Sequence, residues 1–357
     1  MITSVRLQNF KAHRDTTVEL GRFTVLVGPN GSGKTSVLQA LWLLSRLTGL
    51  NYGTVLQGDF APSDLMNRTA KGPLSVAVVG GATSPEPWGM RLEVARRDDE
   101  AIHAEVTWAH GEATGRREGE KVQVVPATIR KAFLTQLYHF DASQIAAAAY
   151  SAASEPMVRA DGTNTAVVLA ALKLEQDDVF DRIQQELRQV VPTVERLRIG
   201  RAPVNTHDED GAPAEVMGHK LYIDFRGAPR VPAHAASEGT LVTLALLTVL
   251  HSATRPRLLL LDDIDQSLHP RGQIELVEQI KRLLDEMPDL QIVATTHSPY
   301  ILDRIDRSDI HVFALKNDGS VAHKRLSDHP EAANEVLTSG QIWSLDPEEE
   351  WVAEERP

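Results

Sequence analysis

The stretch of sequence that decides the fold reads Gly28-Pro29-Asn30-Gly31-Ser32-Gly33-Lys34-Thr35. It fits the pattern G-x-x-x-x-G-K-[ST] at every fixed position. A short β-rich run, Phe23–Val27, precedes it, and apolar residues at helical spacing follow it from Thr35 to Leu47. Glycines let backbone N–H groups curl around phosphates, and a helix N-terminus adds a positive dipole end. This order of strand, loop and helix therefore predicts a site for nucleotide phosphates.

The pattern also assigns roles to two side chains of this loop. Lys34 is expected to reach the β- and γ-phosphates of a nucleotide, and the hydroxyl of Thr35 is expected to hold Mg²⁺. The predicted cofactors are therefore ATP and Mg²⁺. The alternative, a chance glycine-rich turn, does not account for the strand and the helix on its two sides.

A second signal lies in the last third of the chain, at Leu258-Leu259-Leu260-Leu261-Asp262-Asp263. Four consecutive apolar residues predict a strand in the interior of a parallel sheet. The two acids then emerge at the carboxyl end of that strand, where ligands bind in open α/β sheets. We expect Asp262 to be the Mg²⁺ partner and Asp263 to orient the attacking water. An acidic turn after a core strand is the alternative for this stretch taken alone.

Two further stretches gain meaning from their positions. Ser237-Glu238-Gly239-Thr240 opens an apolar helix, so Ser237 taken alone is a helix N-cap, but it lies 25 residues before Asp262. Thr295-Thr296-His297-Ser298-Pro299 follows the next buried strand. A lone histidine at a strand end is more often structural, whereas an imidazole beside a γ-phosphate would act as a sensor.

The rest of the chain sets the predicted fold class. A β-rich start, a strand meander between residues 74 and 108, a helical pattern from Thr165 to Leu197 and alternating strands and helices at the end predict an α/β fold. We expect a P-loop NTPase head with a mixed or parallel sheet, flanking helices and a helical arm or lid insertion. Arg201–His219, rich in Pro, Gly, Asp and His, is predicted as a mobile loop. The predicted domains are 1–150 (N-terminal lobe), 151–230 (helical arm and loop), 231–340 (C-terminal lobe) and 341–357 (acidic tail).

Composition and charge limit the function classes. No apolar run approaches 18 residues and the start lacks the features of a signal peptide, so we expect a cytoplasmic protein without a membrane partner. The absence of cysteine excludes disulfides and thiolate metal sites. With a net charge of −12, nucleic-acid binding would require a local basic patch. The stretch Leu345 to Pro357 carries six acids and one arginine, which predicts a solvated tail. The cluster from His207 to Asp210 is predicted as a solvated loop rather than a metal site.

Taken in this order, the four stretches resemble the ABC-type ATPases of the RecF/SMC/OLD-like group, among the AAA-family P-loop ATPases. The opening Leu7-Gln8-Asn9-Phe10-Lys11-Ala12-His13 resembles the "NF-[KR]" start of that group. Leu261 to Pro270 resembles its Walker B motif and D-loop, and Thr296-His297-Ser298-Pro299 resembles its switch histidine. Specific motifs cover residues 1–50 and 230–330, and the likeness between them is only general.

This resemblance implies a role for each matching residue. Gly28–Thr35 would be the Walker A loop, Asp262 the Walker B aspartate, Asp263 the residue in the place of the catalytic carboxylate, and His297 the switch histidine. Catalytic roles thus fall to Asp263, His297 and Lys34.

Other matches concern the second subunit and the rim of the site. Ser237 and Gly239 match the signature motif, which in such proteins completes the ATP site of a second subunit. Lys11 matches a basic position that can touch phosphate. The Q-loop glutamine, a further metal contact, has Gln144 as its candidate.

Two departures from the family pattern shape the expected mechanism. The catalytic place usually holds Glu, and Asp263 is one methylene shorter, which predicts slow hydrolysis and a long-lived ATP state. About 200 residues separate the phosphate loop from the signature without a long coiled coil, which favours a compact arm over a rod. Because one subunit supplies only part of the coordination of ATP, we expect ATP to join two heads in a symmetric dimer.

Several functions remain open from the sequence. The first is a DNA-associated ATPase for repair or for defence against foreign DNA, and the second is an ATP-gated regulatory subunit that holds or releases an effector such as a nuclease or toxin. The acidic surface favours the second, whereas the resemblance favours the first. A transporter ATPase conflicts with the NF-K opening and the long middle insertion, and a small-molecule kinase would leave Ser237 and His297 without a role.

Overall fold

The computed structural model describes residues 1–70, 72–81, 86–96, 102–118, 125–207 and 212–353. The chain divides into two compact units. Unit 1 consists of Met1–Leu137, Pro256–Ile264 and Pro288–Pro357, and unit 2 consists of Tyr138–Arg255 and Asp265–Met287. The domains predicted from the sequence are consecutive ranges. Each of these two units instead combines ranges that are separated in the sequence.

The strands are β1 Ile2–Phe10, β2 His13–Glu19, β3 Phe23–Val27, β4 Leu74–Gly80, β5 Trp88–Arg96, β6 Ile102–His110, β7 Ala113–Glu118, β8 Thr135–Tyr138, β9 Val194–His207, β10 Pro213–Phe225, β11 Ala228–Pro232, β12 Leu258–Leu261, β13 Gln291–Thr295, β14 Ile310–Leu315 and β15 Val321–Arg325. The α-helices are α1 Lys34–Leu47, α2 Tyr52–Val55, α3 Pro62–Leu65, α4 Ala127–Ala132, α5 Ala142–Ala146, α6 Thr165–Glu175, α7 Asp177–Val190, α8 Glu238–His251, α9 Pro270–Glu286, α10 Pro299–Leu302, α11 Ser339–Trp343 and α12 Glu348–Trp351.

In unit 1, the strands that precede the phosphate loop and Asp262 belong to a sheet with the strand order β15-β14-β3-β13-β12-β8. Strand β3 runs parallel to both of its neighbours, β14 and β13, and β12 runs parallel to β13. Every residue of β3, β12 and β13 is buried, as the continuous apolar runs predict for a sheet covered on both faces. The carboxyl ends of these three adjacent strands therefore meet at one edge of the sheet.

Helix α1 fixes the position of the phosphate loop that precedes it. Its residues Val37, Leu38, Leu41 and Leu44 are fully buried, in the same core as Leu26 of β3, Leu258 and Leu260 of β12 and Val293 of β13. Burial of such a side chain contributes roughly 1.5–3 kcal/mol, so this face holds the helix firmly against the sheet.

A second sheet of unit 1 is antiparallel, with the strand order β2-β1-β4-β5-β6-β7. Strands β4 to β7 are consecutive neighbours and pair antiparallel, which confirms the meander that the middle of the chain predicts. Together with the parallel sheet, this arrangement confirms the predicted α/β head with a mixed sheet system.

Unit 2 contains helices α5 to α9 and a three-stranded antiparallel sheet with the order β11-β10-β9. The predicted mobile loop Arg201–His219 is wrong over its described residues, because β9 and β10 pair there in continuous register, for example Val204 with Val216. Proline is tolerated because Pro203 lies in the edge strand β9 and Pro213 is the first residue of β10. The cluster from Asp208 to Asp210 lies outside the described residues.

Two other sequence predictions need correction. The helical pattern predicted to continue to Leu197 ends at Val190, because Pro192 cannot continue a helix and β9 begins at Val194. The acidic stretch at the end is not fully solvated: Trp351 of α12 is 5% exposed and packs edge-on against His329, with ring centroids 4.8 Å apart. Across the described residues, no helix is both long and apolar enough to span a membrane.

Candidate ATP site

The phosphate loop leaves β3 through three glycines with positive φ, which are Gly28 at 143°, Gly31 at 79° and Gly33 at 98°. Glycine is needed at Gly28 for space as well, because a Cβ there would lie 2.2 Å from the carbonyl oxygen of Phe313. A Cβ on Gly31 would meet no other atom within 4 Å, so this part of the loop is open. The loop therefore has the backbone conformation that only glycine adopts without strain.

Lys34 is the first residue of α1 and is only 5% exposed. Its Nζ donates hydrogen bonds of 2.8 Å to the carbonyl oxygens of both Gly28 and Pro29. The ammonium group thus lies within the loop, where the sequence predicts that it meets phosphate oxygens.

Thr35 and Asp262 come together as the sequence predicts for a shared metal site. The Thr35 hydroxyl lies 3.1 Å from Oδ1 and 3.4 Å from Oδ2 of Asp262, across 227 residues of sequence. Both side chains are half-buried at the carboxyl edge of the parallel sheet, where β3 and β12 end. A hydroxyl and a carboxylate are the hard oxygen ligands that Mg²⁺ prefers in nucleotide sites.

Thr295, the last residue of β13, links the two acids and was not singled out by the sequence. Its hydroxyl lies 2.7 Å from Oδ1 of Asp262 and 3.3 Å from Oδ1 of Asp263, and it accepts a 2.8 Å hydrogen bond from the backbone N–H of Asp263. The side chain is fully buried. No local pattern marks this threonine, because its role depends on β13 lying beside β12 in the sheet.

Asp263 has a left-handed backbone conformation, which is unusual for a residue other than glycine. Its φ is 53°, in the left-handed region that asparagine and aspartate occupy more readily than other non-glycine residues. The N–H of the next residue, Ile264, donates to the carbonyl oxygen of Thr295, so the turn after β12 is tied to the end of β13.

His297 follows the same strand end and is exposed. Its neighbours are fixed, because the N–H of Thr296 donates to the carbonyl oxygen of Leu26 in β3 and the Ser298 hydroxyl caps the short helix α10. The backbone of His297 therefore follows the end of β13, beside the end of β3 where the phosphate loop begins.

Lys11 lies at the turn between β1 and β2, with φ of 50°. Its ammonium group donates to the side-chain amide oxygen of Gln39 in α1. Burial lowers the pKa of Lys11, while the charges of Asp59 and Asp64 act in the opposite direction. A role in contacting phosphate stays a prediction.

The signature residues belong to unit 2, where Ser237 caps helix α8: its hydroxyl accepts from the N–H of Thr240 at 3.3 Å. Gly239 is closely packed, since a Cβ there would lie 2.4 Å from the carbonyl oxygen of Ser267 in the D-loop. The Ser267 hydroxyl in turn donates to Glu238 at 2.6 Å. The cap does not distinguish a structural serine from a signature serine, so the second role stays a prediction.

Gln144 lies on the short helix α5, also in unit 2, and its side chain is exposed. Its assignment as the Q-loop glutamine stays a prediction.

The polar groups around the phosphate loop of unit 1 fit a Mg²⁺-nucleotide. The loop presents open backbone at Gly31, an ammonium group at Lys34 and the paired oxygens of Thr35 and Asp262. The hydroxyl of Ser32 is buried and has no hydrogen-bond partner among the described residues, and a phosphate oxygen is the kind of acceptor that would satisfy it.

A comparison with protein-family models matches residues 23–303 to the family described as "AAA domain, putative AbiEii toxin, Type IV TA system". The chain belongs to this family. The matched range contains the phosphate loop, Ser237, Gly239, the two acids Asp262 and Asp263, and His297.

Two curated relatives share short stretches with this member of the AAA family. Septu protein PtuA of Bacillus thuringiensis is 33% identical over 69 residues, which is 19% of this chain and 17% of that protein. Septu protein PtuA of Bacillus mycoides (strain KBAB4) is 32% identical over 95 residues, which is 24% of this chain and 13% of that protein. The alignments thus span less than a fifth of each relative.

Solved structures extend the likeness to nearly the whole chain. The SMC head domain from Thermotoga maritima has a TM-score of 0.51 at 14% identity, covering 91% of this chain and 98% of its own. An SMC head bound to the C-terminal winged-helix domain of ScpA has a TM-score of 0.56 at 17% identity, covering 91% and 98%. An SMC head with an extended coiled coil, bound to the C-terminal domain of ScpA from Pyrococcus furiosus, has a TM-score of 0.54 at 15% identity, covering 94% and 99%.

At these identities the likeness establishes the fold. The chain has a P-loop NTPase fold of the ABC type, similar to the SMC head, which confirms the predicted resemblance to the RecF/SMC/OLD-like group.

Proposed function

We propose that this protein binds and slowly hydrolyses ATP, and that ATP joins two copies of it in a dimeric switch. The observation that carries the proposal is the meeting of Lys34, Thr35 and Asp262 at one edge of the parallel sheet. These three residues come from parts of the chain separated by more than 220 positions, and each has the chemistry that a Mg²⁺-nucleotide requires.

Binding would use groups that already have partners within the chain. The 2.8 Å hydrogen bonds to the carbonyl oxygens of Gly28 and Pro29 hold the Lys34 ammonium within the loop. When the nucleotide binds, phosphate oxygens would replace these two carbonyl oxygens as its partners. The Thr35 hydroxyl and the Asp262 carboxylate, now bonded to each other, would together hold the metal. When bound, Mg²⁺ would neutralise charge on the phosphate oxygens and orient them for in-line attack.

Hydrolysis requires a group that orients water, and Asp263 is the candidate. Its carboxylate is half-buried at the same edge and is held near Thr295. An aspartate reaches one methylene less far than the glutamate usual at this place, and a displacement of about 1 Å costs on the order of 100-fold in rate. Slow turnover and a long-lived ATP state follow from that geometry.

The dimer follows from the charge of the substrate. ATP carries about four negative charges, and the phosphate loop of one subunit supplies donors on one side only. The N-terminus of α8, with Ser237 and Gly239, is a second set of backbone donors that a partner copy can offer. Two identical sites would then form in a symmetric pair.

The test is size measurement by light scattering on the Asp263→Asn variant, with and without ATP and Mg²⁺. Asparagine suits the left-handed conformation at this position, so the variant is expected to fold. We expect a monomer without nucleotide and a dimer with ATP. Two controls in the same background are Lys34→Ala, which removes the phosphate contact, and Ser237→Arg, which blocks the N-terminus of α8 while keeping the phosphate loop.

Both controls are expected to remain monomeric with ATP, although Ser237→Arg still binds the nucleotide. A single size for Asp263→Asn in all conditions would overturn the switch. ATP binding without any hydrolysis by the wild type, even with partners added, would overturn the enzymatic half of the proposal.

For the biological output, we propose contact with DNA, in repair or in defence against foreign DNA. Support comes from a basic surface on the β9-β10-β11 sheet, in a chain whose net charge is −12. Arg198 and Tyr222 pair across β9 and β10, and Lys220 Nζ and Arg230 Cζ lie 5.0 and 5.2 Å from the Tyr222 ring centroid. This cluster of cations around an aromatic ring is suited to phosphate backbone and bases.

DNA binding and DNA-stimulated ATP hydrolysis test this output. Lys220→Glu with Arg230→Glu is expected to weaken DNA binding by at least tenfold at low salt and to reduce its salt dependence. The matched control is Arg14→Glu with Arg46→Glu, which makes the same change of charge in unit 1. Equal loss in both double variants would show only a general charge effect and would contradict the assignment of this surface.

A second output, an ATP-gated regulatory subunit that holds an effector, is supported by the family description, which names a toxin of a toxin–antitoxin system. Co-purification of the tagged Asp263→Asn variant with a neighbouring gene product, dependent on ATP and unaffected by the basic-surface variants, would favour this output over DNA.

A further inference from the structure

His13 is a fully buried histidine at the start of β2, and it lies directly behind the phosphate loop. Its Nδ1 is 3.0 Å from the hydroxyl of Thr16, and its Nε2 is 3.1 Å from the carbonyl oxygen of Gly33. Both ring nitrogens therefore have partners, and one of those partners belongs to the loop itself. Neither the ATP chemistry nor the family match assigns this residue a role.

The partners determine the tautomer of the ring. A carbonyl oxygen only accepts hydrogen bonds, so Nε2 must carry the proton and donate to Gly33. In the neutral ring Nδ1 is then an acceptor, and the Thr16 hydroxyl donates to it. Burial lowers the pKa of His13 to about 4, so the ring is neutral near pH 7. The Gly33 carbonyl thus selects the tautomer in which His13 can hold the loop, and Thr16 supports that tautomer by donating to Nδ1.

Contact between His13 and Gly33 is close. A Cβ on Gly33 would lie 2.8 Å from His13 Nε2 and 2.8 Å from Cγ2 of Val321. The segment that carries His13 is itself fixed, because the N–H of Val321 donates to the carbonyl oxygen of Ala12. Gly33 therefore packs directly against His13 and Val321, and the two segments that carry these residues are hydrogen-bonded to each other.

The consequence concerns the next peptide group. The carbonyl of Gly33 and the N–H of Lys34 belong to one planar peptide unit, in which they point in opposite directions. The Gly33 carbonyl accepts from the N–H of Val37, at 3.4 Å, as well as from His13, and these two bonds together fix the Lys34 N–H on the opposite side of the loop. That N–H is the first amide of α1, among those that helix N-termini offer to phosphates.

We infer that His13 is a positioning residue of the phosphate loop, which through the Gly33 carbonyl orients the Lys34 amide for the nucleotide phosphates. It acts through Gly33 and not on the nucleotide itself, and Thr16 acts one step further back by donating to Nδ1 of His13. This inference rests on the proposed binding of ATP.

Two amide substitutions separate positioning from packing. In His13→Gln the side-chain amide nitrogen can take the place of Nε2, whereas in His13→Asn it corresponds to Nδ1 and falls short of Gly33. Both are measured in the Asp263→Asn background, by calorimetric titration with ATP and Mg²⁺. We expect His13→Asn to weaken ATP binding by about tenfold, the effect of one lost buried hydrogen bond, and His13→Gln to retain affinity within about threefold.

Thr16→Val provides an independent check, because it keeps the shape of the side chain and removes the donor to Nδ1. In the wild type, ¹⁵N NMR of the ring is expected to show the tautomer protonated at Nε2, and Thr16→Val is expected to keep that tautomer, because the Gly33 carbonyl still requires a donor. The amide resonance of Lys34 in protein without nucleotide should shift in His13→Asn but not in His13→Gln.

If His13→Asn binds ATP as tightly as the protein with His13, and its Lys34 amide resonance is unchanged, the proposed role of His13 is wrong. Equal losses in the Asn and Gln variants, in proportion to a lowered melting temperature, would also overturn it, because that result indicates core packing alone. If the wild type binds no ATP, the proposed function fails, and the Lys34 amide shift still decides whether His13 orients the loop.

Discussion

Oγ1 of Thr295 lies 2.7 Å from Oδ1 of Asp262, which makes a buried threonine hydroxyl the link between the end of β13 and the acid that we propose to hold the metal. The hydroxyl has a single hydrogen to donate, and Asp263 Oδ1, at 3.3 Å, is the more distant acceptor. Its lone pair is used by the N–H of Asp263 at 2.8 Å. One side chain thus orients Asp262 and anchors the backbone of Asp263.

Thr295→Val should therefore impair both acids while keeping the shape of the core. The substitution leaves the Asp263 N–H without its partner, and we expect a loss of about 1–3 kcal/mol in the free energy of unfolding. We also expect the affinity for Mg²⁺ in the nucleotide complex to fall, measured by titration with Mn²⁺ as the spectroscopic probe. Thr295→Ser keeps the hydroxyl and should retain most of the metal affinity. Wild-type metal affinity in Thr295→Val would contradict this role.

Asp263→Glu tests whether the backbone explains the aspartate at the catalytic place. The residue has φ of 53°, and a longer side chain in the left-handed region costs about 1–2 kcal/mol more than the small polar ones. We expect Asp263→Glu to be less stable by about 1 kcal/mol, because of this backbone conformation, and to hydrolyse ATP faster than the wild type, because the added methylene restores the reach of the carboxylate. Asp263→Asn should keep its stability and lose hydrolysis. Turnover by the glutamate variant no faster than that of the wild type would contradict a rate limited by the reach of Asp263.

Gly239→Ala tests the packing of the signature turn. A Cβ at this position would lie 2.4 Å from the carbonyl oxygen of Ser267, and backbone cannot move aside as a flexible side chain can. We expect a loss of about 2 kcal/mol in urea unfolding. Gly49→Ala is the matched control, because its Cβ would meet nothing within 4 Å, and it should be close to neutral. Similar unfolding curves for both variants would contradict the close contact.

How far the sequence predicted this site depends on the kind of signal each residue carries. Gly28–Thr35 and Asp262 were predictable because their pattern and their place after apolar strands follow from the chemistry of phosphate and metal. Thr295 and His13 were not, because their roles come from strands that are distant in sequence. Only the pairing of β3 with β13, and the contact of β2 with the phosphate loop, brings their side chains to the site.

The β9-β10 hairpin was missed for a different reason. Arg201–His219 contains proline and glycine, which punctuate loops, and no local pattern tells that β9 lies at a sheet edge where proline is tolerated. The edge position is a property of the folded unit and cannot be read from the stretch itself.

Low pH should destabilise unit 1 through three histidines near the phosphate loop, of which His13 and His311 are buried and His323 is half-buried. The rings of His311 and Phe313 both stack on His323, with centroids 5.6 and 5.4 Å away, and the His13 ring meets Phe313 edge-on. Burial is the main cause that lowers the pKa to about 4 for His13, about 3 for His311 and about 4 for His323, from an ordinary value of 6.5. Arg325 lowers the pKa of His323 further, and Asp328 acts in the opposite direction.

The sign follows from proton binding in the two states. Between about pH 6.5 and pH 4 the unfolded chain binds protons on these histidines and the folded chain does not, so the free energy of unfolding falls as the pH falls. A shift of this size corresponds to on the order of 3 kcal/mol for one histidine. His323→Phe keeps a ring in the stack and removes one titrating group, so urea unfolding between pH 4 and 6.5 should show a shallower pH dependence than in the wild type. Identical slopes in the two proteins would mean that His323 already takes up its proton in the folded state, which would contradict a neutral stack.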